Sequence, residues 1–400
     1  MTGAPEPPPD PRPPPVPAPG EAYYRLLPGV EVVPVGDDVV LASDGVTLRL
    51  EGESAALFRD RVLALLDGTR TLDQVTAELP GVRPDDLRPH LDALVRARVL
   101  GRRDEPSDGA PVDGPGAARP LLRFLETVGL SPEQVAERLD GLRVAVVGLN
   151  GPGAHVAAVL AASGVGTVVL ADPFPLGPAD LQLMAPTAAA RAGGAARHDV
   201  VREALGAAGG SGRLEVMQGD ALDRGVVADL VAGSDLAVGC FDKGFSAAHA
   251  WLNEAGLDLG VDTLYAQLRG PTAWVGPLVV PGETACWLCW RMRAIASQED
   301  FLAAMAVEEH LDGRRRPALA EAGALPALSP LVGGMVGLEA VKHLLGLGRD
   351  ALAGHVHEVD ALAGRTEVHA VLAVPDCPAC SPSQAAQKKS PLAPTSLSPS

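Results

Sequence analysis

Four of the five cysteines in this 400-residue chain fall in two C-x-x-C pairs, Cys286-Trp287-Leu288-Cys289 and Cys377-Pro378-Ala379-Cys380. Each pair can turn two thiolates toward one ion. Four thiolates complete the closed tetrahedral shell of a structural zinc, which leaves no open position for catalysis. A redox pair of thiols, or cysteines that lie close without a ligand, are the other readings of the spacing. Two pairs in a chain with only one further cysteine point to zinc. That further cysteine, Cys240, sits in an apolar run that reads as a buried strand, where a thiol behaves as a small hydrophobe.

The second group of residues with chemical potential is the glycine turn in LRVAVVGLNGPGAHVAAVLAASGVGTVVLAD, residues 142–172. A β-branched run ending at Val147 is followed at once by Gly148, Gly151 and Gly153. A helix-period run then begins at Ala154 and stops at Gly164 and Gly166, and a second strand, residues 167–171, ends at Asp172. Strand, glycine turn, helix and strand form the first unit of a Rossmann-like sheet. Glycines there let backbone N–H groups approach a phosphate, and an acidic residue at the end of the second strand is placed to accept from a ribose. The same glycines also serve tight strand-to-helix packing.

Around these residues the composition narrows the function. A formal net charge of −17 argues against a nucleic-acid partner, because phosphate binding needs a basic surface. No apolar run is long enough to span a membrane and no charged-then-apolar leader opens the chain, so a cytoplasmic, membrane-free protein is expected. Residues 1–20 are a proline-rich arm, 104–120 a linker of small, acidic and proline residues, and 382–400 a disordered tail. Between them lie two domains, 21–103 and 121–381.

In the first domain, short strands over 30–33, 38–41 and 46–50 are separated by Gly36-Asp37 and Asp44-Gly45 turns and should pair antiparallel. Three helices follow, one capped by Ser54 and closed by Gly68, one opened by Thr71, and one begun by Pro84 with Leu87, Leu91 and Leu94 at helical spacing. A three-stranded sheet on three helices is a winged-helix plan, here without a basic face for DNA. In the second domain a helical pair over 121–139 leads into the glycine turn. Strand and helix patterns then alternate: helix 199–205, strand 214–217, helix 225–232, and strands 236–241, 261–264 and 272–275. The expected fold class is α/β, a winged helix followed by a Rossmann-like domain with a zinc site.

The first domain, with LLPGVEVVPVGDDVVLA and LLDGTRTLDQVTAEL, resembles the PqqD-like peptide recognition element of proteins that process ribosomally made peptides. The second resembles the ThiF and MoeB superfamily of carboxyl-activating enzymes over residues 142–381, in GPLVVPGETACWLC, LPALSPLVGGMVGLEAVKHLLG and the closing VPDCPAC. The adenylating members carry an S-N-L-x-R-Q segment after the ribose aspartate, where this chain reads GPADLQL at 177–183. Their phosphate-contacting lysine matches Arg197, and their D-C-T-D-N stretch reads Gly239-Cys240-Phe241-Asp242-Lys243, with Asp242 the surviving candidate for a magnesium carboxylate. The nucleotide residues Gly148, Gly151, Gly153, Asp172 and Asp242 are therefore read as vestigial, and ATP on this chain is doubtful. No conjugating cysteine and no catalytic residue is assigned.

A peptide clamp ahead of a degenerate ThiF-like domain resembles the ThiF-like partners of azoline-forming cyclodehydratases in thiazole/oxazole and thiopeptide pathways. The resemblance implies a protein that binds a precursor's leader and presents it to a separate YcaO-family enzyme, which uses ATP to cyclise Cys, Ser or Thr. The chain ends just after the second knuckle, so that enzyme is expected to act in trans; a homodimer is left open. The leader is expected to add as a strand against Val46, Thr47, Leu48, Arg49 and Leu50, beside the helix bearing Leu87, Leu91 and Leu94. The alternative is a microcin-type enzyme that adenylates a peptide carboxyl terminus. His355, His357 and His369 are read as an exposed hairpin face, and Arg314 to Arg316 as a solvated loop.

Overall fold

The structure is a computed structural model and describes residues 22–43, 46–106, 119–127, 130–177, 195–207, 212–219, 221–241, 246–313, 325–347 and 351–381. The proline-rich arm, the tail, the segment after Gly177, Asp242, Lys243 and the three-arginine run lie outside these residues. The chain divides into two compact units, residues 1–137 and 138–400.

The first unit contains two three-stranded antiparallel sheets. Strands β2 (Glu31–Val35), β3 (Asp38–Ser43) and β4 (Val46–Leu50) pair in the order β2-β3-β4, which leaves β4 at an edge. The second sheet, β5-β1-β6, joins β1 (Tyr23–Leu26), β5 (Asp67–Thr71) and β6 (Leu100–Arg103). It was not legible from local pattern, because its strands are four or five residues long and come together from distant parts of the unit. Gly68, expected to close a helix, lies inside β5.

The helix expected from Ser54 starts instead from Gly52, whose φ of 86° ends the preceding strand segment. It runs as α1 (Glu53–Leu57), then loosens into a π turn over Phe58–Val62 and a tight turn over Leu63–Leu65. Helix α2 (Leu72–Ala77) opens as expected on Thr71, whose hydroxyl accepts from the Gln74 amide while Gln74 accepts from the Thr71 amide. Helix α3 (Pro84–Arg96) has proline in its first turn and buries Leu87, Leu91 and Leu94 in the core with Tyr24, Leu41, Leu72 and Leu100. Helices α4 (Arg119–Thr127) and α5 (Pro132–Asp140) follow, and Arg25 pairs with Glu126 of α4 at 2.6 Å.

The second unit is built on an eight-stranded sheet. Strands β7 (Arg143–Val147), β8 (Thr167–Ala171), β9 (Arg213–Val216), β10 (Leu236–Gly239) and β11 (Asp262–Arg269) lie parallel in the order β9-β8-β7-β10-β11. Three antiparallel strands, β12 (Thr272–Val279), β13 (His355–Asp360) and β14 (Arg365–Ala370), extend it. The order reverses between β7 and β10, a topological switch point, and crevices for ligands open beyond the carboxyl ends of strands there. Both the glycine turn and the Cys240-Phe241 segment leave the sheet at that point.

Helix α6 (Pro152–Ser163) packs the glycine turn onto the sheet, and α7 (Arg197–Ala207), α8 (Arg224–Val231) and α9 (Ser246–Leu259) complete the parallel part. Helix α10 (Trp287–Ala296) carries the first knuckle, and α11 (Phe301–Gly313) and α12 (Leu328–Leu345) follow. The glycines of α12 let it approach α6 closely: a side chain at Gly333 would meet the His155 Cβ at 2.4 Å, and one at Gly337 would meet Val159 at 2.7 Å. Among the described residues, no helix is long and apolar enough to cross a membrane.

Candidate metal centre and switch-point cleft

The sheet brings the two cysteine pairs together across 91 residues. Cys286 immediately precedes α10 and Cys289 lies in its first turn, while Cys377 and Cys380 sit on the loop that follows β14. The Sγ atoms of Cys286 and Cys289 are 3.8 Å apart, those of Cys286 and Cys377 3.7 Å, and those of Cys289 and Cys380 3.5 Å; all four lie within 4.8 Å of one another. A tetrahedral ion with metal–sulfur bonds of about 2.3 Å sets its ligands about 3.8 Å apart, so the set fits one zinc-sized ion. The first three cysteines are buried and Cys380 is half-buried.

The surroundings favour thiolate at Cys289 and Cys377, while hydrogen bonding among the sulfurs pushes the Cys286 and Cys380 thiols up. The amino end of α10 offers its partial positive charge to the pair at its start, and the Val374 amide donates to Cys289 Sγ at 3.3 Å. The hydrogen bond from Cys286 holds the Cys289 thiol well below its ordinary range, and Cys377 is brought down to about 6, with its contact to Cys286 the largest contribution.

Two side chains that the sequence reading missed fix the knuckle. Asn253, buried on α9, accepts through Oδ1 from the Trp287 amide at 2.9 Å, so it caps the start of α10 from a neighbouring helix. Arg293, two turns into α10, donates to the carbonyls of Leu372 and Ala373 at 2.8 and 3.1 Å, which clamps the segment leading from β14 to Cys377. The signal for Asn253 was a lone amide on a largely apolar helical stretch. Arg293 left no signal, because its partners are main-chain atoms about eighty residues away.

At the switch point the glycine turn is closed on itself. Gly148 has φ 93°, and a Cβ there would lie 2.9 Å from the Cys240 backbone; a Cβ at Gly153 would lie 1.8 Å from the Gly148 carbonyl. Both glycines are thus required by packing alone. Gly151, at φ 73°, begins α6.

Asp172 is completely buried. Its carboxylate accepts from the Leu149 amide at 2.8 Å and the Phe174 amide at 3.1 Å, and Arg197 Nη1 lies 3.4 Å away. The residue expected from sequence to meet a ribose is therefore occupied holding its own loop to the turn. Arg197, also buried, stands over the Phe174 ring at 6.0 Å. Cys240 follows β10, 1% exposed, as the bland reading of a buried thiol requires.

In the first unit, Val46 to Leu50 form the edge strand, with Thr47 and Arg49 exposed and Val46, Leu48 and Leu50 packed against the core. Arg49 is tied to Asp38, which also accepts from the Gly52 amide at 2.9 Å. Leu87, Leu91 and Leu94 are 6, 0 and 3% exposed, so they support that surface from within. His355, His357 and His369 lie in the β13–β14 hairpin. His369 pairs with Glu358 at 3.1 Å, and burial lowers the pKa of His357.

A parallel sheet with a glycine turn at its switch point and a four-cysteine knuckle beside its antiparallel extension defines an α/β protein of Rossmann type. The chain belongs to the ThiF family, whose model matches residues 123–379. No curated protein sequence matches the chain. Among solved structures, E. coli MccB with ATP is similar at 16% identity and TM-score 0.64, covering 89% of this chain and 99% of that one. The microcin biosynthetic enzyme MccB in complex with N-formylated MccA matches at 17% identity and TM-score 0.66, with the same coverage of 89% and 99%. PaaA matches at 17% identity and TM-score 0.61, covering 86% and 99%. At these identities the likeness shows a shared fold.

Proposed function

We propose that this protein captures the leader of a ribosomally made precursor peptide and presents it to a separate YcaO-family cyclodehydratase, without adenylating the peptide itself. The observation that carries this reading over an active adenylating enzyme is Asp172. With no exposed surface and its carboxylate engaged by two amides and Arg197, it offers a ribose nothing. The absent S-N-L-x-R-Q segment removes a cation that the triphosphate would need.

Residues 21–103, read as a PqqD-like winged helix, serve as the clamp. An extended leader adds to the free edge of β4, where main-chain hydrogen bonds provide affinity and the exposed Thr47 and Arg49 provide register. Leu87, Leu91 and Leu94 hold the clamp's shape. The four cysteines hold a structural zinc that ties α10 to the end of the chain.

The second reading is an adenylating enzyme acting on a peptide carboxyl terminus. It is favoured by the likeness to MccB, which has been solved with ATP and with MccA, over nearly all of that chain. Pyrophosphate exchange separates the two. The presenter reading expects none with candidate precursors, whereas exchange abolished by Asp172→Ala in a variant that still melts cooperatively selects the enzyme. Fluorescence anisotropy with a labelled leader tests the clamp: Leu48→Pro, which disturbs the β4 edge, should weaken binding by about tenfold or more and leave metal content unchanged. Unchanged affinity would move the leader site elsewhere.

A further inference from the structure

We infer that His249 is a positioning residue that couples the four-cysteine knuckle to the loop leaving the sheet at the switch point. His249 and Asn253 lie one helical turn apart on α9, on the same buried face. Asn253 holds the first amide of α10 at 2.9 Å, next to the ligand Cys286. His249 holds the Phe241 amide, two residues beyond the end of β10, with Nε2 as acceptor at 3.1 Å. One helix face thus grips both the metal-bearing helix and the switch-point loop.

The contact between the two grips is aromatic. The His249 ring meets the rings of Trp287 and Tyr265, each at 5.5 Å and edge-on, and Phe241 at 6.1 Å. Trp287 in turn lies between the cysteines of the first knuckle in sequence and stacks toward Trp290 at 6.2 Å. Because protein interiors are close-packed, a shift of Trp287 on metal loss has no free volume to absorb it and reaches the imidazole.

The slot for that imidazole is built into the strand. A side chain at Gly239 would lie 2.7 Å from the His249 Cδ2 and 3.1 Å from Nε2, so only glycine leaves room for the ring to reach the loop. Nε2 accepts from the Phe241 amide, Nδ1 is buried with no hydrogen-bond partner among the described residues, and complete burial lowers the pKa to about 3 and keeps the imidazole neutral. The residue therefore acts as a fixed acceptor, and its chemistry is positional.

This inference rests on the zinc reading of the cysteines, and hydrogen exchange on the full chain separates the two. Zinc content is measured first, by elemental analysis of protein loaded with zinc alone and of protein stripped by chelator. Peptides containing Phe241 should exchange at least tenfold faster in stripped than in loaded protein, while peptides from β8 remain unchanged. His249→Phe, which keeps a ring and loses the acceptor, should bind zinc yet exchange fast around Phe241 in both states. His249→Gln, whose amide oxygen can reach the same position, should restore the zinc response.

Bound zinc with exchange around Phe241 that ignores stripping overturns the coupling alone. An equal rise in every peptide means global loosening and also overturns it. Failure of the wild-type chain to take up zinc overturns the metal reading and the coupling with it. If His249→Phe does not fold, the wild-type comparison with the His249→Gln variant still decides.

Discussion

The glycine turn and the cysteine knuckle stand in the same compact unit, yet their polar groups find partners in opposite ways. At the glycine turn the carboxylate and the first glycine are met from within: Asp172 by two amides and a guanidinium, and the Gly148 amide by the Ala171 carbonyl at 2.8 Å. At the knuckle four sulfurs have mainly one another, at 3.5 to 3.8 Å, the spacing of ligands around one zinc-sized cation. A site whose groups are already satisfied has little to gain from a ligand. Four sulfurs that converge on one point are arranged to hold one. The two motifs are equally legible as sequence, and they differ in whether the fold left them open.

Removing a ligand from the knuckle should have the largest effect. Cys289→Ser is expected to lower bound zinc from about one equivalent to a small fraction and to drop the melting temperature by about 10 °C, because metal binding and folding are linked. Full zinc content with unchanged melting in this variant would erase the contrast. At the glycine turn, Asp172→Ala leaves Arg197 buried without its carboxylate, and such a loss typically costs about 3–5 kcal/mol. Urea denaturation would measure it. A cost below about 1 kcal/mol would mean that the carboxylate is available for a ligand after all.

A smaller effect distinguishes the residue between the two regions. His249 has a folded pKa of about 3, pushed down by burial, against 6.5 for an exposed imidazole. The unfolded chain therefore takes up a proton that the folded chain refuses. The resulting stability is fully present above pH 6.5 and is lost as pH falls toward 3. Between pH 7.5 and 5.5 the wild type should lose about 1.4 kcal/mol more than His249→Phe. Parallel pH profiles for the two proteins would place His249 outside the core. The smallest effect is expected at Arg293, whose clamp on Leu372 and Ala373 supports the second cysteine pair from outside the ligand set. Arg293→Ala should weaken zinc retention about tenfold in a chelator competition, with little change in overall stability.

What the amino-acid sequence determined by itself is local and periodic. The β-branched run before Gly148, the spacing of Leu87, Leu91 and Leu94, the Thr71 cap and the C-x-x-C pairs each place their reason for existing within a few residues of themselves. Tertiary structure alone decided what those elements meet. The β5-β1-β6 sheet joins strands roughly 40 to 80 residues apart and too short to show alternation. The switch point between β7 and β10 depends on strand order, which no local pattern encodes. Asp172 reads as a ribose acceptor in sequence, and only the return of the chain past Arg197 shows its carboxylate already in use. The same holds for His249 and Asn253, two unremarkable polar residues until Gly239 and Trp287 are folded against them. Burial and partnership are properties of surfaces brought together from distant parts of the chain. Side-chain periodicity reports which face is buried, and never against what.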